Sequence, residues 1–177
     1  MSIKVCIESK GTKNVDFGLK ETIQCEAGSS QQDDYLKWVE EKGIAEKNCF
    51  NFTVDKCENK CDKDFSKRVF AKNIQTLNHE GMIMQEILFS GPVIATFDLY
   101  SDFLEYRGGV YTHQSGEYLG KHSVLLIGYV RDGNYQHWIA KNSFGTSWGE
   151  SGYFRIPFDH LGICENVKTF SPLYKYQ

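Results

Sequence analysis

No apolar run in the 177-residue chain approaches the roughly 18–20 residues that cross a bilayer. The longest candidate, Val124 to Val130, suits one buried strand. There is no basic excess either. Lysine and arginine total 20 against 23 acidic residues, a net charge of −3. Without a basic stripe, nucleic acid is excluded as an expected partner. The opening "MSIKVCIESKGTK" lacks a basic region followed by a long apolar stretch, so it does not read as a signal peptide. Internal repeats and low-complexity tracts are absent too. What remains is a chain with 41% hydrophobic and 24% charged residues, a composition of globular type.

Cysteine is not scarce. Six are present, at 6, 25, 49, 57, 61 and 164, and four of them fall between 25 and 61. That density suits disulfides in an oxidising compartment or a four-cysteine metal site. The opening residues point away from secretion and the cysteines point toward it.

Helix signals dominate the first half. Ile3, Val5 and Ile7 alternate loosely before the turn "GTKN", as the tail of a helix or a short strand. "LKETIQC" reads as one further helical turn and "EAGSSQQ" as a polar loop. Asp33 or Asp34 can cap a helix running to about Glu41, with Leu36, Trp38 and Val39 partly buried and Gly43 as its stop. Residues 44–70, charged and cysteine-bearing, read as loop held by cross-links. "EGMIMQEILFSGPV" reads as a helix stopped by Gly91-Pro92.

Then the pattern changes. "VIATFDL", "GVYTH", "SVLLIGYV", "HWIAKN" and "GYFRI" are β-rich and separated by glycine-bearing turns. Helices and loops first, then antiparallel strands, predicts an α+β chain of two lobes: residues 1–90, helical and cross-linked, and residues 91–177, β-rich.

"GKHSVLLIGY" places His122 at the mouth of an apolar strand. A histidine titrates near ~6.5 in solution, which suits proton transfer at neutral pH. The same residue can equally be a satisfied core histidine. A second segment, "KNSFGTSWGESGY", weighs on the choice. It opens with Asn142, whose side-chain oxygen can accept the imidazole N–H and so set ring orientation and tautomer.

Together these segments carry a resemblance. "GKHSVLLIGY" followed by "WIAKNSFGTSWGESGYFRI" resembles the C-terminal lobe of papain-type cysteine peptidases. "GPVIATFDLYSDFLEYRGGVYTHQSGEYLGKHSVLLIGY" is most similar to the cathepsin B branch. The resemblance implies a papain-like two-lobe fold, peptide or protein substrates, no cofactor, and a lysosomal or secretory setting. It implies His122 as general base and acid, Asn142 as its orienter, and Phe144 and Trp148 as the aromatic cover of the pair. The family has tryptophan where Phe144 stands; phenylalanine still excludes water but is smaller and lacks the indole N–H, so a weaker shield is expected. Lys121, directly before the histidine, would disfavour an imidazolium if it pointed inward, and is expected to face solvent.

The nucleophile is the missing half. Papain-type enzymes attack with a cysteine at a helix N-terminus, inside a Gly-Ser-Cys-Trp-like segment with a glutamine shortly before it; neither motif occurs in these residues. The resemblance aligns Met1 to Cys25 with the later turns of the nucleophile-bearing helix and the segment after it. The start of that helix is thus expected to be lacking, with the nucleophile roughly 7–9 positions ahead of Met1 by this resemblance. At about 1.5 Å per residue, Cys6 would lie more than ~15 Å from the required place and does not replace it. A partner covering that end of the helix is a further expectation, because missing large apolar groups cost about 2–5 kcal/mol each.

By the same resemblance, Cys25 pairs with Cys57 and Cys49 with Cys61, disulfides worth about 2–4 kcal/mol each, in preference to a zinc site made from the four. Cys6 and Cys164 are then free thiols. The substrate cleft is expected near Gly120, Lys121 and Asn166. Its family wall, Gly-Cys-Asn-Gly-Gly, is replaced by "EAGSSQQ". Only "FNFTVDK" stands where cathepsin B carries its two-histidine occluding loop, so carboxydipeptidase activity is not expected. "NFT" at Asn51–Thr53 is an N-glycosylation triplet, meaningful only on a secretory route.

Overall fold

The computed structural model describes residues 4, 10, 17, 32–47, 50–53, 56–59, 68–133 and 135–174. Their order is α1 (Gln32–Lys42), β1 (Ile44–Ala45), β2 (Phe50–Thr53), β3 (Lys56–Asn59), β4 (Arg68–Leu77), α2 (Glu80–Ser90), β5 (Val93–Tyr100), α3 (Ser101–Leu104), β6 (Tyr118–Asp132), β7 (Tyr135–Lys141), β8 (Tyr153–Pro157), a 3-10 turn (His160–Gly162) and β9 (Val167–Tyr174). Seven strands hydrogen-bond in the order β1-β4-β9-β5-β6-β7-β8, and β2 and β3 form a separate hairpin. Both helical and strand content agree with the α+β expectation.

Two compact units result. One comprises residues 1–74 and 170–177, the other residues 75–169. The division falls after Ile74 instead of near residue 90. Helix α2 accounts for the difference: its Ile83 and Met84 are buried in the core of the second unit with Leu126 and Val93.

In the first unit, α1 buries Leu36 and Val39 and leaves Trp38 half-buried. It stops where expected. Gly43 donates to the carbonyl of Val39 at 3.1 Å and takes φ of 73°. A Cβ there would meet the Phe70 ring at 3.0 Å, so both conformation and space call for glycine. Arg68 is buried beside this turn and donates to the carbonyls of Lys42 and Gly43.

The expectation of plain loop over 44–70 is overturned by β1, β2, β3 and the start of β4. β1 pairs with β4 through Ile44–Val69 and Ala45–Arg68, contacts made across more than 20 residues that no local pattern announces. Cys25, Cys49 and Cys61 lie outside the described residues. Cys57 is described only by its backbone, which pairs with Phe52 in the hairpin. Both expected disulfides therefore fall outside the described residues.

In the second unit, β5 alternates cleanly. Val93, Ala95 and Phe97 are buried while Ile94, Thr96 and Asp98 are not. That period of two builds a core of Phe97, Phe103, Leu126, Trp138, Phe154 and Ile163. "GVYTH" is not a strand. Val110 makes one bridge to Arg155, whose carbonyl takes the N–H of Tyr111, and the segment otherwise forms a loop: the N–H of His113 goes to His160, and the Tyr111 hydroxyl and His113 ring go to Asp102.

Candidate active site

β6 begins at Tyr118, so His122 sits inside a strand and not at its mouth. Across the ladder it faces Phe97 of β5. Cross-strand partners share a face, which turns the imidazole toward the aromatic core. The Phe97 ring meets it edge-on at 5.9 Å, and Phe103 lies at 6.3 Å behind.

Asn142 follows the last residue of β7. Its backbone N–H is held by the carbonyl of Gly152 at 2.9 Å, closing the base of the 142–152 loop. The side chain is 7% exposed. His122 Nε2 lies 2.9 Å from Asn142 Oδ1, and the N–H of Ser143 donates to the same oxygen at 2.8 Å. Ser143 settles the roles. Its N–H requires an acceptor, so the atom facing it is the amide oxygen; that oxygen cannot donate, so Nε2 must. A neutral His122 therefore carries its proton on Nε2 and a lone pair on Nδ1. Nδ1 has no hydrogen-bond partner among the described residues.

Phe144 covers the pair. Its ring lies 5.0 Å from the imidazole at 32°, and it remains 38% exposed. Trp148 packs edge-on against Phe144 at 5.4 Å and donates from Nε1 to the carbonyl of Leu104 at 3.0 Å. The next residue, Gly149, takes φ of 55°, and a Cβ there would meet the carbonyl oxygen of Tyr153 at 2.7 Å. The loop can pass under Tyr106 only with glycine at this point. Asn142 Nδ2 is buried and makes no hydrogen bond among the described residues.

The structure brings His122, Asn142, Phe144 and Trp148 together. Lys121 projects to the opposite face of β6, toward solvent, and pairs with Asp98 at 2.8 Å. The carboxylate raises the lysine's pKa. Gly120, two residues before the histidine, takes φ of 119° and stands in open space. Asn166 is exposed just before β9. Extending the register of Ile94 with Lys168 sets it opposite Thr96, whose hydroxyl bonds that of Ser123 at 2.9 Å. β9 is separated from β6 by β5, so the strand that Asn166 precedes does not adjoin that of His122.

Cys164 is a half-buried free thiol donating to the carbonyl of Phe158. Burial pushes its pKa up to about 11, the reverse of what a nucleophile needs. Sequence reasoning overlooked Phe97 and Phe103. The alternation in "VIATFDL" was the available signal for Phe97; Phe103 had none, since only folding brings α3 against β6.

A buried acceptor fixing a histidine tautomer, with the second ring nitrogen unpartnered among the described residues, is an arrangement able to hold a proton-accepting imidazole in place. The family model for papain family cysteine protease matches residues 1–171, and the chain belongs to this family. A gut-specific cysteine proteinase of Caenorhabditis elegans is 29% identical over 189 residues, spanning 88% of this chain and 57% of the relative. Cathepsin B of Dictyostelium discoideum is 29% identical over 196 residues, 96% of this chain and 62% of the relative. The chain thus spans less than two thirds of the length of these curated relatives. Among solved structures, procathepsin B S9 from Trypanosoma congolense superposes with a TM-score of 0.78 at 22% identity, covering 98% of this chain and 65% of that one. Bromelain from Ananas comosus gives 0.74 at 21% identity, covering 96% and 84%. The papain-like fold is established by these neighbours. No helix among the described residues is long and apolar enough to cross a membrane.

Proposed function

We propose that this chain is the base-bearing portion of a cathepsin-B-like cysteine peptidase acting on peptide or protein substrates in a lysosomal or secretory compartment. The observation that carries the reading is the His122–Asn142 hydrogen bond, which leaves Nδ1 as the proton acceptor. In this reading Nδ1 takes the proton of a cysteine thiol, the thiolate attacks the scissile carbonyl, and the imidazolium returns the proton to the leaving amine. Asn142 holds the ring through both steps, and Phe144 and Trp148 limit water around the bond.

Acyl transfer needs a thiolate facing Nδ1. None of the six cysteines stands before a tryptophan or after a glutamine-glycine turn. The 177 residues by themselves are therefore proposed to hydrolyse no peptide bond at an enzymatic rate. A segment supplying the cysteine and the oxyanion-hole glutamine would complete the site. Phe144, in place of a tryptophan, favours a second reading: a papain-fold binding or structural protein without catalysis.

A thiol-reactive peptidyl epoxide separates the two. The isolated 177-residue chain is expected to show neither turnover of a fluorogenic peptide nor labelling. Native protein from its source is expected to be labelled on a cysteine outside these residues. Turnover by the isolated chain overturns the requirement for a further segment. Native protein that stays unlabelled and inactive overturns the peptidase reading in favour of the second.

A further inference from the structure

A second cluster of titratable groups lies away from His122. The loop between α3 and β6 is tied to Asp102 by the hydroxyl of Tyr111 at 2.7 Å, by Nδ1 of His113 at 3.1 Å from either carboxylate oxygen, and by the N–H of Gln114 at 2.9 Å. Burial alone would raise the carboxyl pKa. These hydrogen bonds outweigh it, so Asp102 titrates well below the usual carboxylate range and stays ionised in mild acid. The His113 ring stacks on Tyr100 of β5 at 3.8 Å.

One tie in this loop has a different chemistry. The backbone N–H of His113 donates to Nε2 of His160 at 2.9 Å. An imidazole nitrogen accepts only while it is unprotonated, so the bond exists only with His160 neutral and its proton on Nδ1. A proton on Nε2 would set two N–H groups against each other. Burial lowers the pKa of His160, as does the nearby His113; Asp159 and Asp102 act in the opposite sense, more weakly than burial. Tyr111 presents its ring edge-on at 6.1 Å.

His160 opens the 3-10 turn, and that turn is strained. Leu161 takes φ of 54° and ψ of 30°, the left-handed region that a branched side chain disfavours. The same turn runs through Cys164 to Asn166 and into β9. A conformation of this kind persists only while its surroundings hold it.

We propose that His160 is an acid-operated latch: neutral, it pins the strained 160–162 turn to the His113 backbone; protonated, it releases the turn and lets Leu161 leave the left-handed region. Release is local. The Asp102 ties do not depend on His160, so the 111–115 loop stays in place and the turn is the part that moves. The inference is independent of whether the chain cleaves peptides.

Nuclear magnetic resonance on the full 177-residue chain tests it. Long-range proton–nitrogen correlation should show His160 protonated on Nδ1 at pH 7, with Nε2 taking up the proton below pH 6.5. Hydrogen exchange at the His113 amide, corrected for its intrinsic pH dependence, should accelerate about tenfold or more between pH 7 and pH 4.5 as the bond opens. His160→Gln keeps an acceptor oxygen that does not titrate, and should abolish that acceleration. An Nε2–H tautomer at pH 7 overturns the proposal. So does a wild-type His113 amide whose corrected exchange is flat to pH 4.5. Both readings come from the wild-type chain, so they decide the matter even if the variant fails to fold.

Discussion

Ser143 and His122 share one oxygen. Both donate to Oδ1 of Asn142, at 2.8 and 2.9 Å, from opposite ends of the site. Because the backbone N–H of Ser143 cannot accept, the amide cannot flip, and the histidine cannot exchange its tautomer without losing the bond. The orientation of the imidazole is therefore set by a main-chain group next to Asn142.

Replacing that residue should separate tautomer from fold. Asn142→Ala removes the acceptor and leaves His122 free to carry its proton on either nitrogen. Two hydrogen bonds are lost, those from His122 and from the Ser143 N–H, at about 0.5–1.5 kcal/mol each. Deleting Nδ2, which has no partner among the described residues, offsets part of that cost. Equilibrium urea unfolding should thus show a loss of about 1–2 kcal/mol, while nitrogen spectra show the Nε2–H preference of His122 gone. An unchanged tautomer would mean that the surrounding rings, and not Asn142, orient the imidazole.

Trp148 is expected to matter more to stability than Phe144. Its indole N–H reaches the carbonyl of Leu104 at 3.0 Å, and the side chain is 7% exposed. Trp148→Phe strands that carbonyl and opens a gap beneath Tyr106. The two effects together should cost about 2–4 kcal/mol. Phe144→Ala, at a site 38% exposed, should cost about 1 kcal/mol by the area it buries. Thermal or urea unfolding of the two variants side by side tests the order.

Parts of this arrangement were readable from the sequence, and the rest was hidden for identifiable reasons. His122 and Asn142 stand in short segments whose residue types announce a base and an acceptor, and their pairing needs only adjacent antiparallel strands. The true start of β6 was hidden, because Tyr118 to Lys121 become strand only by pairing with Tyr100 to Asp98 of β5. β4 was hidden likewise. Its second half carries Lys72, Asn73 and Gln75, which look like loop, yet it lies between β1 and β9 in the sheet. "GVYTH" failed in the opposite direction: after one strand-like bond from the Tyr111 N–H to the carbonyl of Arg155, the His113 N–H is taken by the His160 side chain and Asp102 ties down Gln114 and Ser115 beyond it. Side-chain capture of backbone groups competes with strand pairing, and composition does not reveal which wins.

Cys164 should be chemically silent in the folded chain. With its pKa pushed up to about 11 by burial, almost none of it is thiolate at neutral pH. Iodoacetamide at pH 7.5 should leave Cys164 unmodified in native protein and modify it fully in urea, as read by peptide mass spectrometry. Rapid native labelling at Cys164 would show that the packing around Phe158 opens readily.

Acid should weaken the fold in two stages. His137 is buried, and burial followed by the charge of Arg155 lowers its pKa; His160 is lowered as well. A histidine whose folded pKa lies below its unfolded value of about 6.5 binds protons more readily in the unfolded chain. Its contribution is complete above pH 6.5 and is lost as pH falls from there toward the folded pKa. Asp102 and Glu150 are lowered in the folded state too, Glu150 chiefly by its hydrogen bond from Arg155. Carboxylates of this kind stabilise above about pH 4 and lose that contribution below it. Unfolding free energy measured in urea should therefore be level from pH 8 to 7, decline between 6.5 and 5, and decline again below 4. His137→Asn should reduce the first decline, leaving the part due to His160, and leave the second unchanged. A stability that rises between pH 6.5 and 5 would contradict the neutral state assigned to both histidines.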